Sequence, residues 1–179
     1  MLQPQLPPLM CLCFLVRAGD DGASYVLLGE KKRGLGAGNI VGLGGKVEPD
    51  ETARDAAVRE AAEESGVLVD PADLEEMAQI SFWFPTKPSW DQRAAVFVAR
   101  SWQGVPRETD EITPTWYDMS DLPFDGMWAD ARLWLPLVLA GRQLSAEFSF
   151  AADLSTVSHA DVREWPRPEA GEAHSARRP

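Results

Sequence analysis

Three glutamates, Glu60, Glu63 and Glu64, lie within one turn's length of chain. At about 100° per residue they share one face of a helix. Packed like charges disfavour an isolated helix by a few tenths of a kcal/mol per pair. A cation among them would turn that cost into binding, and a hard divalent ion such as Mg²⁺ takes oxygen ligands together with substrate phosphates. The same cluster is also the ordinary signature of a solvated acidic face. The residues just before it bear on the choice. Gly42-Leu43-Gly44-Gly45 is a segment whose backbone must bend sharply or approach another group closely. A glycine-rich loop leading into an acidic helix suits metal-bridged phosphate chemistry.

The element that must position these groups reads as a helix from about Thr52 to Ser65. It is rich in Ala, Arg and Glu, all strong helix formers. Thr52 with Asp55 three residues later fits an N-terminal capping pattern, and Gly66 stands where a C-terminal cap belongs. The strips Ala53/Ala57/Ala61 and Val58/Ala62 lie beside the acidic face and are expected to dock the helix on a sheet.

Gly45, Glu51, Arg59, Glu60, Ala61, Glu63, Glu64, Gly66 and Val67 fill every defined position of the pattern Gly-x5-Glu-x7-Arg-Glu-apolar-x-Glu-Glu-x-Gly-apolar. The stretch resembles the Nudix box, the signature of Mg²⁺-dependent hydrolases of nucleoside diphosphates linked to a further group. Lys31 to Gly38, Gly44 to Val47, Gln103-Gly104, Asp110-Glu111, Leu122-Pro123-Phe124 and Met127-Trp128 resemble the oxidised purine nucleoside triphosphatase branch of that family. The likeness runs over residues 9 to 158.

The resemblance implies the following roles. Glu60, Glu63, Glu64 and the Gly44 carbonyl hold Mg²⁺, with Mn²⁺ as a substitute, and Glu111 completes the metal site or serves as base. Glu64 is favoured over Glu111 for the proton. Arg59 pairs with Glu51 and braces the loop against the helix. Lys31 reaches the substrate, Phe82 and Phe84 line the nucleobase pocket, Trp128 stacks on the base, and Asp130 bonds its edge. The chain departs from the pattern where relatives that favour 8-oxo purines carry Asn and a second acidic residue, here Val41 and Ala131. It has Leu35 and Ile40 where they carry Phe and Trp. Fewer polar groups leave base selectivity open while leaving hydrolysis intact. Two alternatives stay open beside pool sanitation of oxidised purine nucleoside triphosphates. One is another nucleoside-diphosphate-linked substrate, such as a sugar nucleotide, a dinucleotide or an RNA 5′ end. The other is a non-catalytic sensing domain, a class that usually loses box glutamates, none of which is missing here.

The chain of 179 residues favours one domain with a sizeable core. A net charge of −11 argues against a nucleic-acid duplex as the main partner. It does not exclude a small anion, because a bound metal inverts the local field. Cys11 and Cys13 are two apart in an apolar run, too constrained for a native disulfide. Buried thiols in a reducing cytoplasm are the expectation. Residues 9 to 16 could pass for a signal-peptide core, but no basic segment precedes them and the run is too short to span a bilayer. No membrane partner is expected, and the assembly expected is a monomer or weak homodimer.

Along the chain, residues 1 to 8 read as a flexible arm with three prolines. Strands are expected at Leu9 to Arg17, Ser24 to Lys31, Glu76 to Phe84, Arg93 to Trp102, Thr115 to Met119 and Gln143 to Phe150. By alternation Phe82 and Phe84 share one strand face. A second helix is expected from Ala129 to Ala140, kinked or divided at Pro136. The domain is placed at 9–158, with a disordered tail over 159–179. The fold class is an α/β (α+β) sandwich, a mixed central sheet flanked by helices, which the resemblance names the Nudix fold.

Overall fold

The computed structural model describes residues 6–165. Among these residues nine strands and two α-helices follow one another in the order β1 (Leu9–Ala18), β2 (Ser24–Lys31), β3 (Ile40–Val41), β4 (Leu43–Lys46), α1 (Ala53–Ser65), β5 (Leu74–Trp83), β6 (Gln92–Ala99), β7 (Ile112–Asp118), α2 (Ala131–Leu139), β8 (Leu144–Phe150) and β9 (Val157–Glu164).

The long strand β1 is the centre of the sheet. Its first half pairs antiparallel with β4, Cys11 opposite Gly45, and parallel with β6, Cys13 opposite Phe97. Its last residues, Val16 to Ala18, turn to pair with β2. β5 runs antiparallel to β6 and parallel to β8, and β9 closes that side against β8. The sheet is therefore mixed, as expected.

Strand periodicity divides the core in two. Cys11, Cys13 and Leu15 point to one face and pack with Leu43, Phe97 and the alanines of α1. Phe14 and Val16 point to the other and pack with Phe82, Phe148 and Trp134, Leu135 and Val138 of α2. The two free thiols are buried, and burial pushes Cys11 up to about 11 and Cys13 up to about 12, so both stay protonated.

α1 is held at both ends by its own sequence. Thr52 accepts from the Asp55 amide, and Asp55 accepts in return from the Thr52 amide. Gly66 takes a left-handed φ of 76° that releases the chain. α2 begins at Ala131, two residues later than expected, and continues as one helix through Pro136. Pro136 is tolerated because it and Arg132, whose carbonyl it leaves without a helical donor, are both exposed.

Three expectations need correction. The segment Gly42 to Gly45 is not a loop leading into the helix: Gly42 is a one-residue break after β3, and Leu43 to Gly45 lie in β4. Glycine suits strand β4 because a Cβ on Gly44 would overlap the Cys11 carbonyl. The tail does not begin at residue 159. β9 reaches Glu164, pairing antiparallel with β8 with Ala146 opposite Val162, and 166–179 lie outside the described residues. The arm is anchored at its end, since the Arg93 amide donates to the Pro8 carbonyl and Arg93 Nε to that of Pro7; residues 1–5 lie outside the described residues.

Candidate active site

The buried face of α1 is not purely apolar. Ala56, Ala57 and Ala61 are fully buried, while Ala53 and Val58 are only partly so. Glu60 and Glu64 complete that face at 8% and 4% exposure, whereas Glu63 is exposed. The expected equal trio is thus a buried pair and an outer third. The spacing explains this: Glu60 and Glu64 are i and i+4, whereas Glu63 lies about 100° from Glu64 and about 60° beyond Glu60, away from the docking stripe of Ala57, Ala61 and Glu64.

β4 makes room for that pair. A Cβ on Gly45 would overlap the Glu60 carboxylate, and the Gly44 amide donates to Glu64 Oε2 at 2.8 Å. Burial pushes Glu64 up to about 7, opposed by the Gly44 amide and reinforced by the nearby charge of Glu60. Glu60 is also raised by burial, against the pull of Arg59.

Arg59 organises the outer side of the helix. Its Nε and Nη2 donate to the two carboxylate oxygens of Glu51 at 3.1 and 2.6 Å, the bidentate geometry that favours a fixed guanidinium. Nη2 also donates to the Lys46 carbonyl, and Nη1 reaches Glu60 at 2.8 Å and Glu63 at 3.0 Å. The bond from Arg59, with that from the Glu48 amide, holds the Glu51 carboxyl below its ordinary value.

Glu111 arrives on a separate loop. The Arg107 amide donates to the Ser65 carbonyl and Thr109 Oγ1 to that of Glu64, which docks residues 107–111 on the end of α1. The basic run 31–33 clasps the same loop. Lys32 Nζ binds Glu108 at 2.5 Å and the Thr109 carbonyl, its amide donates to the Glu111 carbonyl, and Arg33 Nη2 pairs with Glu111 at 2.7 Å. Lys32 and Arg33 therefore have acidic partners, and the only trace of this in the sequence is the charge complementarity between the basic run and Glu108-Thr109-Asp110-Glu111.

Among the described residues, no three Asp, Glu, His or Cys side chains already converge as a metal cage. Glu60 and Glu63 lean on Arg59, and Glu111 on Arg33. The donor chemistry nevertheless fits a hard cation. The groups are all oxygens, and two are buried carboxylates whose charged form lacks sufficient compensation.

Beside these carboxylates opens a cleft of about 170 Å³. Lys31, Leu35, Val41 and Gly44 line it, as do Phe82, Phe84, Trp128 and Asp130. An aromatic wall is built from Phe84 stacked on Phe150 at 4.5 Å, with Trp128 edge-on to both. Trp90 is edge-on to Trp128 at 6.5 Å and braces it from outside the cleft. Asp130 is 3% exposed, and its Oδ2 accepts from Trp134 Nε1 at 2.7 Å. Burial pushes it up to about 6, against the pull of that bond. Trp134, Phe14, Phe150 and Gln92 also line the cleft without having been singled out from sequence. Trp134 was findable as the residue one helical turn after Asp130, and Gln92 by alternation with Ala94.

The family model described as the NUDIX domain matches residues 10–138. An oxidized purine nucleoside triphosphate hydrolase of Danio rerio is 40% identical over 151 residues, covering 84% of this chain and 92% of that protein. The Mus musculus protein of the same name is 40% identical over 139 residues, covering 78% of this chain and 86% of its own length. Among solved structures, a MutT protein from Bacillus halodurans superposes with a TM-score of 0.70 at 22% identity, covering 87% of this chain and 97% of its own. With the box residues gathered around α1 and β4 and the family model spanning most of the chain, this protein belongs to the Nudix hydrolase family.

Proposed function

We propose that the protein hydrolyses oxidised purine nucleoside triphosphates, of which 8-oxo-dGTP is the type, to the nucleoside monophosphate and pyrophosphate. One observation carries this reading. Gly44 and Gly45 line the aromatic cleft and, through their backbone, also contact the buried Glu64 and Glu60. A base held in the cleft therefore extends its phosphates toward the carboxylates. The name of the 40%-identical relatives supports the substrate class.

The chain's own groups divide the work. The aromatic wall with Trp128 stacks the base, and Asp130 bonds its edge. Lys31, on the same cleft, meets phosphate oxygens. A water oxygen forms a bond to phosphorus, the bridging P–O bond to the leaving group breaks, and a carboxylate takes the water's proton. Glu64, buried beside the cleft, leads as base over Glu111, which is half-buried and paired with Arg33. Glu51 and Arg59 position the helix rather than touch substrate. Glu60, Glu63, Glu64, Glu111 and the Gly44 carbonyl would hold Mg²⁺, or Mn²⁺ in its place, which when bound would supply charge neutralisation and a more acidic water. Arg59 and Arg33, which pair with Glu60, Glu63 and Glu111, would then release part of their hold.

The test is a panel of 8-oxo-dGTP, dGTP, a sugar nucleotide and a dinucleotide, scored for pyrophosphate and phosphate release with and without Mg²⁺. Preference for 8-oxo-dGTP with release of pyrophosphate is expected. A dinucleotide turned over much faster than either triphosphate, with 8-oxo-dGTP no better than dGTP, would overturn the reading.

A further inference from the structure

We propose that Gln92 is a specificity-determining residue, whose carboxamide reads a base edge that offers a hydrogen-bond donor and acceptor side by side. The inference rests on the hydrolysis reading above and assigns it a group that reading does not use.

Gln92 opens β6 and lies directly across from Phe82 of β5. It projects to the same sheet face as Ala94, two residues on, and both line the cleft. The neighbouring cleft positions are apolar: Met10, Leu12, Ala94, Phe82 and Phe84. Val41 and Ala131 add no polar group. The side chain of Gln92 is half-buried, and among the described residues it makes no hydrogen bond, whereas Asp130 is tied to Trp134. Gln92 is thus a polar group with free valences facing a ligand-sized apolar space.

A ligand that covers this amide displaces its water and must replace the lost bonds. An unpaired buried amide costs about 1–3 kcal/mol. A carboxamide presents one acceptor oxygen and an N–H donor in a plane, so it satisfies a neighbouring donor–acceptor pair with two parallel bonds. The O6 and N7–H of an 8-oxoguanine form such a pair. The O6 and N7 of guanine are both acceptors and leave the amide oxygen facing a lone pair. An edge-reading Gln92 supplies part of the discrimination that Val41 and Ala131 do not.

Gln92→Met removes the amide at nearly constant volume, and Gln92→Glu replaces the donor with an acceptor. The substrates are 8-oxo-dGTP, dGTP and purine riboside triphosphate, which has no exocyclic group. The expected result for Gln92→Met is a roughly 10-fold fall in the ratio of kcat/KM for 8-oxo-dGTP over dGTP; Gln92→Glu keeps an acceptor for N7–H but loses the donor to O6, so it lowers kcat/KM for both substrates while holding or raising the ratio. The fall appears in KM. Purine riboside triphosphate changes by less than about 2-fold in Gln92→Met, which separates loss of recognition from loss of fold. If wild type prefers 8-oxo-dGTP and Gln92→Met keeps that ratio, or Gln92→Glu loses it, Gln92 does not read the edge and the hydrolysis reading stands. If wild type turns over none of the three, both readings fall.

Discussion

Glu64 carries two opposed demands, and its burial makes them measurable. Its carboxyl titrates near pH 7 in the folded metal-free protein, against an ordinary value of 4.5. The folded state therefore binds a proton that the unfolded state has released between those two values. Stability from this group is fully present below about pH 4.5 and is lost as pH rises through 7, a swing of roughly 3 kcal/mol. Glu64→Gln leaves an uncharged group that still accepts from the Gly44 amide. Urea unfolding without metal is expected to show the variant about 2–3 kcal/mol more stable than wild type at pH 8 and equal to it near pH 4.5. The same variant is expected to lose on the order of 10²-fold or more in kcat while still binding nucleotide. An unchanged rate would remove Glu64 from the proton-transfer role.

At the scale of elements, α1 and β4 act as one unit. Gly45 has no side chain because the Glu60 carboxylate occupies that space. Gly45→Ala is expected to push Glu60 off its seat and to lower kcat/KM at least 10-fold, with a smaller loss of thermal stability than of activity. Thr52→Ala, which removes one half of the capping box, is expected to cost about 1 kcal/mol of stability and leave KM unchanged. Equal losses of activity in the two variants would argue that both act only through folding. How legible these elements were follows from how local their determinants are. α1 was readable to within a residue because Thr52, Asp55 and Gly66 signal its ends within its own sequence. β4 was not, because Leu43-Gly44-Gly45-Lys46 has no strand propensity of its own; it is a strand because β1 offers a partner that only glycine can approach. β9 was hidden in the same way, its polar Val157–Glu164 reading as tail until β8 pairs with it. Site residues followed the same division. The box glutamates were legible from spacing, whereas the clasp of Lys32 and Arg33 on Glu108 and Glu111 joins segments more than seventy residues apart.

For the whole molecule, a net charge of −11 and a pair of buried carboxylates place strain on the metal-free state that a divalent cation would relieve. Any ligand bound only by the folded form stabilises it by mass action, about 2.7 kcal/mol at a hundred times its dissociation constant. For a domain of this size that corresponds to a rise in Tm of roughly 5–10 °C. Mg²⁺ is expected to produce that rise at pH 8 and a smaller one at pH 5, because protons compete at Glu64. NaCl at matched ionic strength should give little of it, which separates binding from general screening of the acidic surface. Excess chelator should return the Tm to its starting value. Glu60→Gln and Glu64→Gln should each remove most of the shift, and Glu63→Gln less, since Glu63 is exposed and Arg59 already compensates part of its charge. A shift of equal size in all three variants would place the cation elsewhere on the acidic surface and detach the buried pair from metal binding.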